Sequence, residues 1–170
     1  MLTVDLTKLE GGKHASVRTE VPVEDPLWTD VELVFKEAVG VDLTVSAAPS
    51  GEVLAHGSIR ARLHKECRRC LDPIDYRMDR DVTLVYAPVD ALSDNEDPEI
   101  RPLEPVGNDL DLSAAVREET ILAAPLFLEC REDCKGLCSR CGANLNETEC
   151  NCVLEEPDPR WDALRSLSNG

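Results

Sequence analysis

The chain has 170 residues, a formal net charge of −16, eight cysteines and only 4 % aromatic residues. That length can bury a core without a metal, but eight thiols exceed what packing needs, and a core drawn mainly from Val, Leu and Ala gains from a staple. So acidic a chain is opposed to unaided, non-specific binding of nucleic acid, which requires Lys and Arg to displace counterions from phosphates; the charge favours a basic partner.

From the N-terminus, Met1-Leu-Thr-Val-Asp-Leu-Thr-Lys places Asp5 and Lys8 where an export signal needs an unbroken apolar run. No apolar stretch approaches the roughly 20 residues that cross a bilayer. The expectation is a cytoplasmic protein without a membrane partner. Thiols stay reduced in that compartment, which points the cysteines to metal rather than to disulfides.

Apolar and polar residues nearly alternate from Val17 to Val23 and alternate cleanly from Val39 to Val45, the pattern of half-buried strands. Ala48-Pro49-Ser50-Gly51 has turn chemistry, and a long second arm follows to Lys65, so residues 39–65 are predicted to form a β-hairpin. A further strand fits residues 81–86. Residues 90–111 carry eight acidic residues against the single base Arg101, together with Pro98, Pro102 and Pro105. Such a run is expected to be a mobile acidic loop.

A helix is predicted over 112–125, capped by Asp111 or Ser113 and ended by Pro125. Leu112, Ala115, Val116, Leu122 and Ala123 are expected on its buried face, and Arg117, Glu118 and Thr120 elsewhere. Adjacent helical residues point about 100° apart, so Glu118 and Glu119 do not converge on one substrate atom. No catalytic residue is assigned. A Cys-rich segment spans 130–152, and Asp158-Pro-Arg160 can start a short C-terminal helix over 158–168, with Trp161, Leu164 and Leu167 on one face. The resulting expectation is a single α+β domain. Its antiparallel β meander, barrel-like, fills residues 1–89, with a packed helix and a zinc-knuckle segment behind it.

The cysteine spacing carries the chemistry. Cys138-Ser-Arg-Cys141-Gly142 has the shape of a zinc knuckle: two intervening residues let both sulfurs face one tetrahedral ion, and Gly142 can take a positive φ. Cys150 and Cys152 lie close enough to complete that site. Cys67, Cys70, Cys130 and Cys134 remain for a second site, which would tie the β half to the C-terminal segment. Cys134 and Cys138 are only four residues apart and could exchange places, and Cys67-Arg-Arg-Cys70 could alternatively be a redox pair. A closed Cys₄ site has no open position for water or substrate, so zinc there would be structural.

One basic island stands out. Arg60, Arg62, Lys65, Arg68 and Arg69 face a single acid, Glu66, within residues 60–69. In a strand Arg60, Arg62 and His64 share one face. The island is a candidate site for RNA phosphates, or else a solvent-facing strand whose bases answer the surrounding acid.

Cys67-Arg-Arg-Cys70-Leu71, the block from Cys130 to Asn146, and Cys150-Asn-Cys152 resemble the YceD family of bacterial and plastid proteins; Val4-Asp-Leu6 and Asp158-Pro-Arg160 fit it as well. The resemblance implies a part in ribosome biogenesis, since members are linked to accumulation of large-subunit ribosomal RNA and their genes often lie beside that of a small zinc-ribbon ribosomal protein. Some branches lack the C-terminal knuckle, so it is not needed everywhere for that role. The expected partner is a basic protein of the large ribosomal subunit or the RNA itself, with no small-molecule substrate, and the electrostatics favour the protein. The rival readings are a zinc- or thiol-dependent enzyme, either an oxidoreductase or a nuclease, and a structural zinc module of a larger complex.

Overall fold

The computed structural model describes residues 2–92 and 100–152. The helix expected over 158–168, and residues 93–99 of the acidic stretch, lie outside them. The described residues form β1 (Thr3–Asp5), β2 (His14–Val21), β3 (Val34–Phe35), β4 (Val39–Ala47), β5 (Val53–Glu66), β6 (Pro73–Ala87), β7 (Ile100–Pro102), β8 (Asp109–Asp111) and one helix, α1 (Ser113–Ala123).

The main sheet has the order β2-β4-β5-β6-β7, with β3 pairing β5 beyond the end of β4. The predicted hairpin is β4–β5, and Ala48 N–H closes its turn on the Glu52 carbonyl at 2.8 Å. Strands β5 and β6 pair along their whole lengths, from Val53↔Tyr86 to Glu66↔Pro73. The short connection between them is the Cys67–Cys70 turn. Alternation sets the sheet's two faces: Val39, Val41, Leu43 and Val45 of β4 lie in the core with Val53, Ala55, Ile59, Ala61 and Leu63 of β5. Trp28 joins that core, its ring 4.8 Å from Phe35 and its indole N–H on the Pro22 carbonyl at 3.1 Å.

The structure corrects three expectations. The sheet is open, not barrel-like: β2 and β7 stand at opposite edges. It is not wholly antiparallel either, because β7 runs parallel to β6. Twelve positions of sequence separate the end of β6 from the start of β7, the length that a parallel return requires. Finally, part of the acidic stretch is ordered. Its β8 pairs antiparallel with β1, and Leu110 enters the core beside Val4. Those two apolar residues supply burial that the surrounding acids cannot.

Helix α1 packs against β6 and the turn at Pro26–Trp28. Asp111 Oδ1 accepts the Ser113 N–H at 2.8 Å, one of the two expected caps. Leu112, Ala115 and Val116 are buried as expected, but Leu122 is 71 % exposed, and Thr120 is buried with its hydroxyl on the Val116 carbonyl at 2.7 Å. Thr120 lies one turn above Val116, whereas Leu122 is rotated about 200° from Thr120. The buried stripe is therefore narrower than a generous helical count allows.

Candidate metal centres

The eight cysteines gather in two groups of four. The sulfurs of Cys67, Cys70, Cys130 and Cys134 all lie within 4.8 Å of one another, as do those of Cys138, Cys141, Cys150 and Cys152. Four sulfurs about 2.3 Å from a tetrahedral ion would stand about 3.8 Å apart. The first group shows 3.8 Å between Cys67 and Cys134 and 3.5 Å between Cys70 and Cys130. A disulfide would need about 2.05 Å, and all eight thiols are free. The donor sets therefore fit thiophilic tetrahedral ions, and either group could hold one.

The first group is built where the long β5–β6 hairpin turns. Cys67 N–H bonds the Asp72 carbonyl at 2.9 Å, and Leu71, at φ +63°, donates to the Cys67 carbonyl at 2.9 Å. Residues after α1 then run beside this turn: Arg68 N–H reaches the Leu128 carbonyl at 2.8 Å, in a parallel bridge between Cys67 and Leu128. Two backbone N–H groups point at the Cys67 sulfur, that of Arg69 at 3.5 Å and that of Cys130 at 3.4 Å. The second group sits on a tight loop closed by Cys138 N–H on Ala143 O at 2.8 Å and Gly142 N–H on Cys138 O at 2.9 Å. Gly142 takes φ +71°, the value its place after the CxxC predicts.

Burial pushes the Cys67 thiol up, but N–H donors from Cys70, Cys130 and Arg69 more than offset it and leave a pKa of about 6. Backbone donors from Cys141 and Arg140 bring Cys138 to about 6 as well. Burial drives Cys70 upward, and the neighbouring Cys141 thiol helps push Cys152 up to about 12. Cys67, Cys134 and Cys138 thus become thiolates more readily, with hydrogen-bond donors at Cys134 outweighing its burial, whereas Cys70, Cys130, Cys150 and Cys152 hold their protons. Four crowded thiolates need a cation among them, and a coordinated ion deprotonates its thiols outright. A closed set of four sulfurs offers structure rather than an open coordination position.

Sequence reasoning gave no role to Asn144 and Asn146. Asn146 Nδ2 lies 3.4 Å from the Cys134 sulfur, its Oδ1 accepts the Lys135 N–H at 2.8 Å, and Asn144 Nδ2 donates to Asp72 Oδ1 at 3.1 Å. The only sequence signal was an Asn-Leu-Asn run immediately after the CxxCG loop.

The basic island is divided. Arg60, Arg62 and His64 share the open face of the sheet, but Lys65 pairs in register with Ile74 on the other face. Arg60 lies 4.0 Å from Asp42, which also holds Arg18 at 2.8 Å, and Arg62 lies 3.2 Å from Asp75, which Lys36 also binds. Arg68 is held by Glu129, with its Nε at 2.9 Å. Lys65 and Arg69 alone of the five form no ion pair among the described residues. The open face carries a depression of about 1200 Å³ whose lining sets four arginines against four acids. It is polar and charge-balanced. Among the described residues no helix is long and apolar enough to cross a membrane.

Comparison with known proteins places these features in a family. The profile described as "Large ribosomal RNA subunit accumulation protein YceD" matches residues 55–168, which contain all eight cysteines. An uncharacterised protein of Mycobacterium tuberculosis is 31 % identical over 166 residues, covering 96 % of this chain and 79 % of its own. One from Mycobacterium leprae is 26 % identical over 166 residues, 96 % of this chain and 76 % of its own. A chloroplast protein of Arabidopsis thaliana, named as a large ribosomal RNA subunit accumulation protein YCED homolog, is 36 % identical over 63 residues, 37 % of this chain and 20 % of its own. No solved structure matches.

Proposed function

The chain belongs to the YceD family, and from that premise we propose that it supports accumulation of large-subunit ribosomal RNA as a non-catalytic cytoplasmic factor that binds a basic protein of the large subunit. In this reading zinc fills both cysteine groups, since four thiolates in tetrahedral array suit zinc. The metal holds the 128–152 segment against the β5–β6 turn and takes no part in a reaction.

The observation that carries the choice of partner is the pairing of the basic island. Arg60, Arg62 and Arg68 each lie against a carboxylate of this same chain. Phosphates would have to displace those carboxylates, in a molecule whose net charge is −16. A basic protein meets the opposite situation and is drawn in by the field of the whole molecule. A thiol oxidoreductase would need an accessible thiolate, and Cys67, the more acidic sulfur of its pair, is fully buried.

The test is an affinity purification from growing cells, with half of the sample treated with ribonuclease before elution. A basic large-subunit protein should co-elute from both halves. Large-subunit RNA and its proteins recovered only from the untreated half would overturn the protein-partner reading. They would redirect attention to Lys65 and Arg69.

A further inference from the structure

The two cysteine groups are not separate modules. We infer that they bind metal cooperatively, through the segment Asn144–Asn146, which forms the return arm of the second loop and also contacts the first group. The inference rests on the metal reading above.

The route is continuous in hydrogen bonds. In the second group, the loop from Cys138 to Gly142 folds back so that Cys138 N–H meets Ala143 O, and Leu137 and Asn144 form an antiparallel bridge. Its return arm then leans on the first group. Leu145 N–H bonds Gly136 O at 2.9 Å, Asn146 Oδ1 holds Lys135 N–H, and Asn146 Nδ2 lies 3.4 Å from the sulfur of Cys134. Asn144 Oδ1 accepts from Asn146 Nδ2 at 2.9 Å, and Asn144 Nδ2 reaches Asp72 beside the first CxxC. Leu137 N–H bonds the Arg69 carbonyl at 3.0 Å, an approach so close that a Cβ on Gly136 would stand 3.0 Å from the same oxygen.

The chemistry gives the sign. A metal with four thiolates carries an excess of negative charge, and N–H groups aimed at sulfur disperse it. Cys67 receives such donors from its own backbone surroundings, but Cys134 receives a side-chain donor from Asn146, whose position depends on the second loop. An ion bound by Cys138, Cys141, Cys150 and Cys152 fixes that loop. It thereby places the Asn146 amide at Cys134 before the first ion arrives. By thermodynamic necessity the first ion strengthens the second site by the same factor. Asn146 is a positioning residue, not a ligand.

Cobalt titration of the chelator-stripped full chain tests this, read by the thiolate-to-cobalt absorption band against a competing chelator. The double substitution Cys150→Ser/Cys152→Ser, which removes the second site, should weaken cobalt binding at the first by about tenfold or more, the usual scale for lost outer contacts. Cys67→Ser/Cys70→Ser should weaken the second site by the same factor. Asn146→Asp keeps the acceptor for Lys135 N–H but replaces the donor at Cys134 with a carboxylate, so it should weaken the first site more than Asn146→Ala does; Asn146→Gln should restore part of the loss. Circular dichroism of each variant reports that the sheet is intact. First-site affinities within twofold of one another across these variants would overturn the linkage while leaving two independent metal sites. No cobalt band at all in the unsubstituted chain would overturn the metal reading itself, and the linkage with it.

Discussion

At the scale of single residues, the cysteines differ in the protons they hold, and this makes metal loading depend on pH in a definite sense. Cys67 and Cys138 have pKa values of about 6, below the ordinary 9.0. The stabilisation they give the metal-free fold is therefore complete above pH 9 and is lost as pH falls through about 6. Cys70 and Cys152 are raised and work in the opposite sense, so their contribution declines as pH rises past 9. A metal ion must displace the protons that remain. Affinity for cobalt should fall by about tenfold per pH unit for each proton displaced, and more steeply below pH 6, where Cys67 and Cys138 protonate too. Chelator-competition titrations between pH 8 and pH 5 check this; an affinity that does not vary with pH would contradict it.

At the scale of elements, helix α1 shows how a 3.6-residue period can be legible in outline and misread in detail. Leu112 is fully buried, whereas Leu122 is 71 % exposed. Leu112→Ala should destabilise the metal-loaded chain by about 2–5 kcal/mol, and Leu122→Ser should stay within about 0.5 kcal/mol; denaturant melts of the two variants separate these outcomes. The β4–β5 hairpin was readable because strict alternation of Val, Leu and Ile meets a Pro-Ser-Gly turn. The full extent of β6 was not: the strand expected over 81–86 runs back to Pro73 through Asp75, Arg77 and Asp79, where few apolar residues mark a buried face and β5 supplies the partner register. Strand β8 was missed for a related reason: its one buried residue, Leu110, stands between two aspartates and gains meaning only from β1 across the chain. The CxxC pairs were the opposite case, because two-residue spacing constrains sulfur geometry locally. The grouping of Cys130 and Cys134 with Cys67 and Cys70 depended on a contact across some 60 residues, and the spacing alone left it open.

At the scale of the whole molecule, the apolar core and the cysteine groups are physically distinct. The main core holds no cysteine, while Cys67, Cys70 and Cys134 form a small cluster of their own with Ile74 and Leu137. Removing metal should consequently leave the core sheet in place and loosen residues 128–152. Amide hydrogen exchange of the stripped chain should rise by about tenfold or more in that segment and remain slow in β4 and β5; uniform acceleration across both would contradict the separation. Charge belongs to this scale as well. A net −16 coexists with a basic island because the fold sets Asp42, Asp75 and Glu129 against Arg60, Arg62 and Arg68. The sequence displayed the bases but not these partners, two of which come from other strands and one from the segment after α1.

The most direct test of the account is native mass spectrometry of the intact chain, purified without added metal or chelator, beside the same sample unfolded in acid. The account predicts two zinc ions on the folded chain, none after acid unfolding, and eight free thiols. A folded chain without metal, or one lighter by the hydrogens lost to disulfides, would contradict it.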